Sequence, residues 1–176
     1  MSDGCGGNGE GVMPIIGIEQ PEILQIEENL RLRRFDGIYD FAFDWYQDEE
    51  TVYLVDGVRK KYSRETLRCM YEYLDKQGEL YFIEVLVDGV FKTIGDVTFW
   101  QEDMPIVIGE KTYRGRGIAK KVIGALVQRG RSLGYTEVYV NEIYEFNVVS
   151  RKCFESMGFV AYEKTEKGNR FVLKNS

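Results

Sequence analysis

Apolar and polar side chains alternate along residues 30–35 (LRLRRF), the period of a strand. Residues 36–48 (DGIYDFAFDWYQD) follow as a short aromatic helix with Asp36 as its expected N-cap. Ser63 opens a second helix, in which Leu67, Met70, Tyr71 and Leu74 recur at helical spacing and Gly78 is the natural C-cap. Two β-rich runs, 79–89 and 90–100, meet at Asp88-Gly89, a strong hairpin signal. Residues 103–109 (DMPIVIG) read as a third strand of this group, with pairing lost near Pro105. The helix at 117–133 carries Ile118, Val122 and Leu126 on one stripe and Ala119, Ile123 and Val127 beside it. A strand at 136–144, a short helix from Asn147 to a cap at Gly158, and strands at 159–164 and 169–174 complete the pattern. The order β–α–α–β–β–β–α–β–α–β–β, with no repeat or internal linker, predicts one α/β domain with a mixed sheet. Residues 1–27 start with a glycine-rich leader and are expected to be a flexible tail; residues 28–176 are the expected domain.

Composition narrows the chemistry. The chain has 176 residues, 44% hydrophobic and 30% charged, as soluble globular domains do. No apolar run approaches the roughly 20 residues that span a bilayer, and the leader does not read as a secretory signal. Cys5, Cys69 and Cys153 suggest neither a disulfide framework nor a metal site, so a cytoplasmic setting, no metal and no membrane association are expected. Histidine is absent, which removes histidine triads, histidine-ligated zinc and imidazole bases. Proton transfer must fall to carboxylates, tyrosines, thiols or water. The net charge of -6 is unevenly spread: residues 1–100 sum to -10 and residues 101–176 to +4. That division suits an anionic ligand on the C-terminal half and a cationic one on the N-terminal half, and the overall acidity argues against nucleic acid.

The candidate anion site lies where the strand PIVIG runs into the helix, through EKTYRGRGIAKKV. Gly115 and Gly117 let backbone N–H groups turn inward, and free amides at a helix start favour phosphate. Arg114 and Arg116 are expected at its rim, with Lys120 and Lys121 one turn on. A Walker loop would need Lys-Ser or Lys-Thr after the second glycine, and a dinucleotide loop would need a small residue at Lys120. Neither fits.

RGRGIA (114–119) resembles the R/Q-x-x-G-x-G/A signature of the GNAT family of acyl-CoA N-acyltransferases. Residues 147–159 (NVVSRKCFESMGF) are similar to the family's second signature, N-x-x-[AS]-x-x-x-[YF]-x-x-x-G-F. LRLRRF, the Trp45-Tyr46 helix and Tyr113-Arg114-Gly115 look most like the branch containing ribosomal-protein N-terminal acetyltransferases and aminoglycoside 6′-acetyltransferases. The resemblance implies a mostly antiparallel central sheet, flanked by helices and splayed between the fourth and fifth strands of the pattern. It implies acetyl-CoA as co-substrate and an amine acceptor; a second copy of the chain, in a homodimer, is the other candidate partner.

Carried over position by position, the resemblance gives the pantetheine arm to the backbone of Ile106, Val107 and Ile108, with an amide of Val107 or Ile108 on the thioester carbonyl. The pyrophosphate falls to Arg114, Gly115, Arg116, Gly117, Ile118 and Ala119. Asn147 is either an N-cap or a pantetheine ligand, two compatible roles, and Lys152 or Arg151 reaches the 3′-phosphate or stays solvated. Asp103 falls where relatives carry a glutamate base; Glu102 adjoins it and Asp96 is a third candidate. Glu142 and Asp96, with Trp45 and Tyr46, are expected on the acceptor side, where Asp44, Asp48, Glu49 and Glu50 add charge. Phe154 departs from the pattern: many relatives have a tyrosine there to protonate the leaving thiolate, so either another hydroxyl, Tyr144 first, or water takes that role, or catalysis is weak. Two rivals remain open, a non-catalytic acyl-CoA-binding module on the same fold and a different nucleotide-binding enzyme.

Overall fold

The computed structural model describes residues 13–175; the leader, residues 1–12, lies outside them. The chain enters the fold before the expected domain boundary. Gln20 is buried, with its Nε2 donating to Leu80 O at 2.9 Å. Residues Ile23–Glu27 form strand β1, antiparallel to β2 (Leu30–Arg34), which corrects the reading of 1–27 as tail. Leu24 and Ile26 pack on the core while Gln25 and Glu27 face out. Ile23, Leu24 and Ile26 make the run apolar enough for a strand, but five residues give too short a period to stand out; they are ordered by the otherwise unpaired edge of β2.

The aromatic segment also differs from its pattern. It is a 3-10 helix, Asp40–Gln47, followed by a separate helix α1 (Glu49–Asp56). Asp36 caps neither: its Oδ1 accepts from Ile38 N at 3.0 Å and its Oδ2 pairs with Arg33 at 2.9 Å. The cap is Asp48, whose Oδ2 accepts from Thr51 N at 2.9 Å and starts α1. Helix α2 (Arg64–Gln77) begins as expected at Ser63, whose Oγ accepts from Thr66 N at 3.1 Å. Cys69 on it is disulfide-bonded, which the cysteine spacing did not signal. Gly78 is extended, not left-handed. It is glycine because a Cβ would lie 2.6 Å from Phe99 O and 2.7 Å from the Trp100 ring.

Strands β3 (Glu79–Val87) and β4 (Val90–Phe99) form the expected hairpin, with Asp88 and Gly89 at φ 49° and 78°. After β5 (Ile106–Ile108) come α3 (Ile118–Ser132), β6 (Glu137–Tyr144), α4 (Val148–Ser156), β7 (Val160–Lys164) and β8 (Gly168–Lys174). Two antiparallel sheets result, in the orders β1-β2-β3-β4-β5 and β6-β8-β7. One core cluster packs Val97 and Phe99 of the larger sheet against Val122 and Leu126 of α3 and Phe154 of α4. The other packs Leu80 and Phe82 against Trp45, Tyr46, Leu67 and Tyr71 from the opposite helices. Among the described residues no helix is long and apolar enough to cross a membrane.

Candidate active site in the wedge between the sheets

Among the described residues the two sheets are hydrogen-bonded to each other at one end only. Tyr139 N donates to Gln101 O (2.9 Å), Gln101 Nε2 to Glu137 O (3.1 Å), and Asn141 N to Asp103 Oδ1 (3.0 Å). Residues 101 and 103 meet 139 and 141 in step, so the two chains run parallel here. Beyond this apex β5 and β6 share no pairing among the described residues, and a wedge opens. The splay expected between the fourth and fifth strands of the pattern is this gap.

Register decides what β5 offers to the wedge. Thr98 N donates to Pro105 O at 3.0 Å, and bonded pairs alternate in an antiparallel ladder. Asp96–Val107 is therefore a bonded pair and Val97–Ile106 is not. A Cβ on Gly95 would collide with Val107 O, as expected if that carbonyl points into the ladder. Val107 is thus turned to β4, a correction to its expected role, while Ile106 and Ile108 turn to the opening. Ile108 O is already taken, by Arg114 Nε at 2.8 Å. Among the described residues, the Ile108 N–H and both groups of Ile106 remain without a partner.

The loop after β5 passes close to the aromatic helix. A Cβ on Gly109 would overlap the Trp45 indole, and Trp45 Nε1 donates to Glu110 Oε1 at 3.1 Å. Gly115 and Gly117 follow at φ 74° and 77°, with open space around both. The first backbone bond of α3 runs from Lys121 N to Gly117 O, at 3.3 Å. The amides of Ile118, Ala119 and Lys120 precede it and so lack intrahelical partners at the positive end of the dipole. Arg116 and Lys120 are exposed beside them, and Lys121 pairs with Glu27 at 3.0 Å. A hollow of about 500 Å³ adjoins this loop, while one of about 560 Å³ lies apart, between the 3-10 helix and α2.

Arg114 does not stand at the rim. Its Nη2 donates to Thr51 Oγ1 at 2.9 Å while Nε holds Ile108 O, so the guanidinium ties β5 to α1. Two part-buried acceptors need a donor there, and the signature arginine supplies it. On α4, Asn147 Oδ1 accepts from Ser150 N at 3.2 Å as an N-cap, and Lys152 is exposed.

The sequence profile of the acetyltransferase (GNAT) family matches residues 39–159, more than half of the chain. The chain belongs to the GNAT acetyltransferase family. Among solved structures, a domain from Methanocaldococcus jannaschii DSM 2661 is similar at 17% identity and TM-score 0.72, covering 82% of this chain and 97% of that one. An acetyltransferase (GNAT family) from Bacillus anthracis is similar at 12% identity and TM-score 0.69, covering 86% and 98%. The aminoglycoside acetyltransferase AAC(6')-Ib in complex with coenzyme A gives 15%, 0.62, 82% and 94%. At such identities the likeness is one of fold. A search of curated proteins gives no match. Family membership supports acetyl transfer from acetyl-CoA as the general activity.

Within this GNAT domain the carboxylates differ in surroundings. Asp103 sits at the wedge apex, where Met104 N (2.9 Å) and Asn141 N both donate to its Oδ1. Burial raises its carboxyl above the usual range, against those two bonds. Glu102 is exposed. Asp96 is 3% exposed and accepts from Tyr46 Oη (2.7 Å) and Tyr71 Oη (2.8 Å), both on Oδ2. Burial raises it to about 6, while the two phenols pull it down. Asp48, expected to charge the acceptor side, is instead spent on its cap and on Lys111 (2.7 Å), whose bond holds it near 2.

Phe154 is buried, its ring edge-on to Phe159 at 5.2 Å. Tyr144 is half-buried at the end of β6; burial, then Glu142 and Asp56, raise its phenol, so it keeps its proton at neutral pH. Glu142 is exposed beside it. Tyr144 stacks on Phe146 (5.1 Å), which stacks on Tyr53 of α1 (4.3 Å), with the Arg59 guanidinium 4.4 Å above Tyr53. This ring stack joins the β6–α4 turn to α1, and Tyr62, facing Asp56, Asp96 and Tyr144, lies behind it. The stretch 41–57 (FAFDWYQDEETVYLVDG), expected to line the acceptor side, already contains Tyr53 and Asp56, whereas sequence reasoning missed Tyr62 and Phe146. Those two come from separate loops with no shared spacing; the one local hint is Phe146 directly before the Asn147 cap.

Proposed function

We propose that the protein transfers the acetyl group of acetyl-CoA to a primary amine by direct attack in a ternary complex. The acceptor classes that fit are a small cationic amine, an aminoglycoside-like compound or a protein N-terminus. The observation that carries this reading is the free edge of Ile106 and Ile108 leading to the unpartnered amides at Gly117 and the start of α3. The diphosphate would take those amides and the pantetheine amides would pair with Ile106. The Ile108 N–H would donate to the thioester carbonyl as charge develops on its oxygen. The amine nitrogen forms the new C–N bond, the C–S bond breaks, and the thiolate takes a proton from Tyr144 or water. Of the two sheet-end carboxylates, Asp103 is better suited to locking the apex. The branch we favour, that of ribosomal-protein and aminoglycoside 6′-acetyltransferases, rests on Trp45, Tyr46 and Tyr113-Arg114-Gly115.

Phe154 favours one alternative, an acyl-CoA-binding module without turnover, because it offers no proton to a thiolate. Incubation with acetyl-CoA and kanamycin A, spermidine or a basic peptide with a free N-terminus, followed by free-thiol detection, separates the two. Amine-dependent thiol release supports the transferase; coenzyme A binding without release supports the module. Thermal stabilisation by ATP or NAD but not by coenzyme A would remove both.

The clamp role of Asp103 has its own test. Asp103→Ala strands two backbone N–H groups and should cost about 1–3 kcal/mol in urea unfolding. Asp103→Asn keeps the acceptor oxygen and should leave stability and turnover nearly unchanged; a hundredfold fall in kcat would make Asp103 the base instead.

A further inference from the structure

We propose that Asp96, held by Tyr46 and Tyr71, is the group that takes the proton from the incoming amine. This rests on the transferase reading above and names a catalytic residue for it.

Three observations carry it. Asp96 is a carboxylate buried among aromatic rings: Tyr46 from the 3-10 helix, Tyr71 from α2 and Phe82 across the ladder on β3. The groups that act on it electrostatically are tyrosines, Tyr46 and Tyr71 in contact and Tyr62 beyond them, with no cation among its determinants. A buried carboxylate without a counter-charge is costly to keep, so its presence calls for a purpose. Both phenols donate to Oδ2, which fixes the carboxylate plane, and among the described residues no donor reaches Oδ1. One oxygen is oriented and the other carries no hydrogen bond among the described residues.

Its position suits the task. Asp96 is the ladder partner of Val107, so it lies one strand spacing, about 5 Å, inward from the edge where Ile106 and Ile108 face the wedge. Cross-strand partners share a face, and this is the face covered by the 3-10 helix and α2. An amine entering past Tyr62 and the Tyr53–Phe146–Tyr144 stack would approach β5 from that side. Oδ1 then accepts a proton from R–NH3+, and the neutral amine attacks the acetyl carbon. The second proton leaves nitrogen as the C–S bond breaks and balances the one gained by the thiolate. The protonated Asp96 finally returns its proton to water. With its carboxyl at about 6, Asp96 is ionised at neutral pH yet a stronger base than an exposed aspartate.

The test uses the full chain and whichever of the three amines turns over. Asp96→Asn keeps the shape and should lower kcat by about 10²–10⁴-fold with the affinity for coenzyme A unchanged. Tyr46→Phe removes a bond that lowers the carboxyl, so the acidic limb of kcat/KM should move to higher pH. An activity-independent readout follows from linkage. A carboxyl that titrates near 6 when folded and near 4 when unfolded favours the fold below about pH 4, and that contribution is lost as pH rises to about 6. Wild-type Tm should fall over that interval relative to Asp96→Asn. Wild-type turnover with Asp96→Asn within threefold of it would overturn this proposal alone, as would an unmoved limb in Tyr46→Phe should Asp96→Asn fail to fold. Absence of turnover with every amine, despite coenzyme A binding, would remove the transferase reading and this proposal with it.

Discussion

Replacing Gly117 by Glu should abolish coenzyme A binding if the diphosphate sits at the start of α3 as proposed. Gly117 is the N-cap of α3 at φ 77°, a region that costs an L-residue about 1–2 kcal/mol. A Cβ there would meet nothing within 4 Å, so steric collision contributes nothing. The loss comes from charge. A carboxylate at the helix start occupies the amides and the positive dipole end that a diphosphate would use, and repels the diphosphate itself. Titration calorimetry should show affinity weakened by at least about a hundredfold, some 3 kcal/mol. Gly117→Ala carries the strain without the charge and should bind far better than the glutamate variant. Equal and undiminished affinity in both would move the phosphate site off α3 altogether.

Arg129→Leu should produce the largest loss of stability from a single surface-proximal change. Glu79 has a fully buried side chain, and the Arg129 guanidinium grips it with Nε on Oε1 and Nη2 on Oε2 at 2.7 Å. Tyr81 Oη adds a third donor at 3.0 Å. Arg129 also reaches Glu19 O at 3.3 Å, so the same residue fastens the segment leading into β1. Removing it leaves a carboxylate in the interior with a single phenol donor, a change that costs about 3–5 kcal/mol in comparable buried pairs. Urea unfolding checks this. Adding Glu79→Leu to Arg129→Leu should recover much of the loss, because the cost lies in the orphaned charge more than in the missing pair. A loss below about 1 kcal/mol in the single variant would mean that water reaches Glu79 when the arginine is gone.

The two experiments probe opposite ends of α3. Its first turn carries the proposed anion site and its last turn carries the bond that locks the helix to β3. A helix pinned at Arg129 and packed through Val122 and Leu126 holds its N-terminal amides in one place. Arg114 does the equivalent for β5, closing the Ile108 carbonyl and leaving its N–H as the group that faces the wedge. Stability and binding are thus linked through the same short stretch of chain.

Periodicity alone determined most of the elements, because burial on one face imprints a period of two or 3.6 on a strand or helix whatever its neighbours are. The Asp88-Gly89 turn, the Ser63 and Asn147 caps and the glycines at 115 and 117 were legible for the same reason: each requirement is local, a positive φ or an amide needing an acceptor. Strand β1 was not legible, since a five-residue run is too short to show its period and is ordered only by the edge it completes. Nor was the inward turn of Arg114, which depends on acceptors 6 and 63 residues away. The facing of Val107 into the ladder follows from a register set by Thr98 and Pro105, and Asp96 acquires its isolation only when Tyr46 and Tyr71 close over it. Such features depend on which partner reaches which atom across the fold, and a linear pattern of residue types carries no record of that.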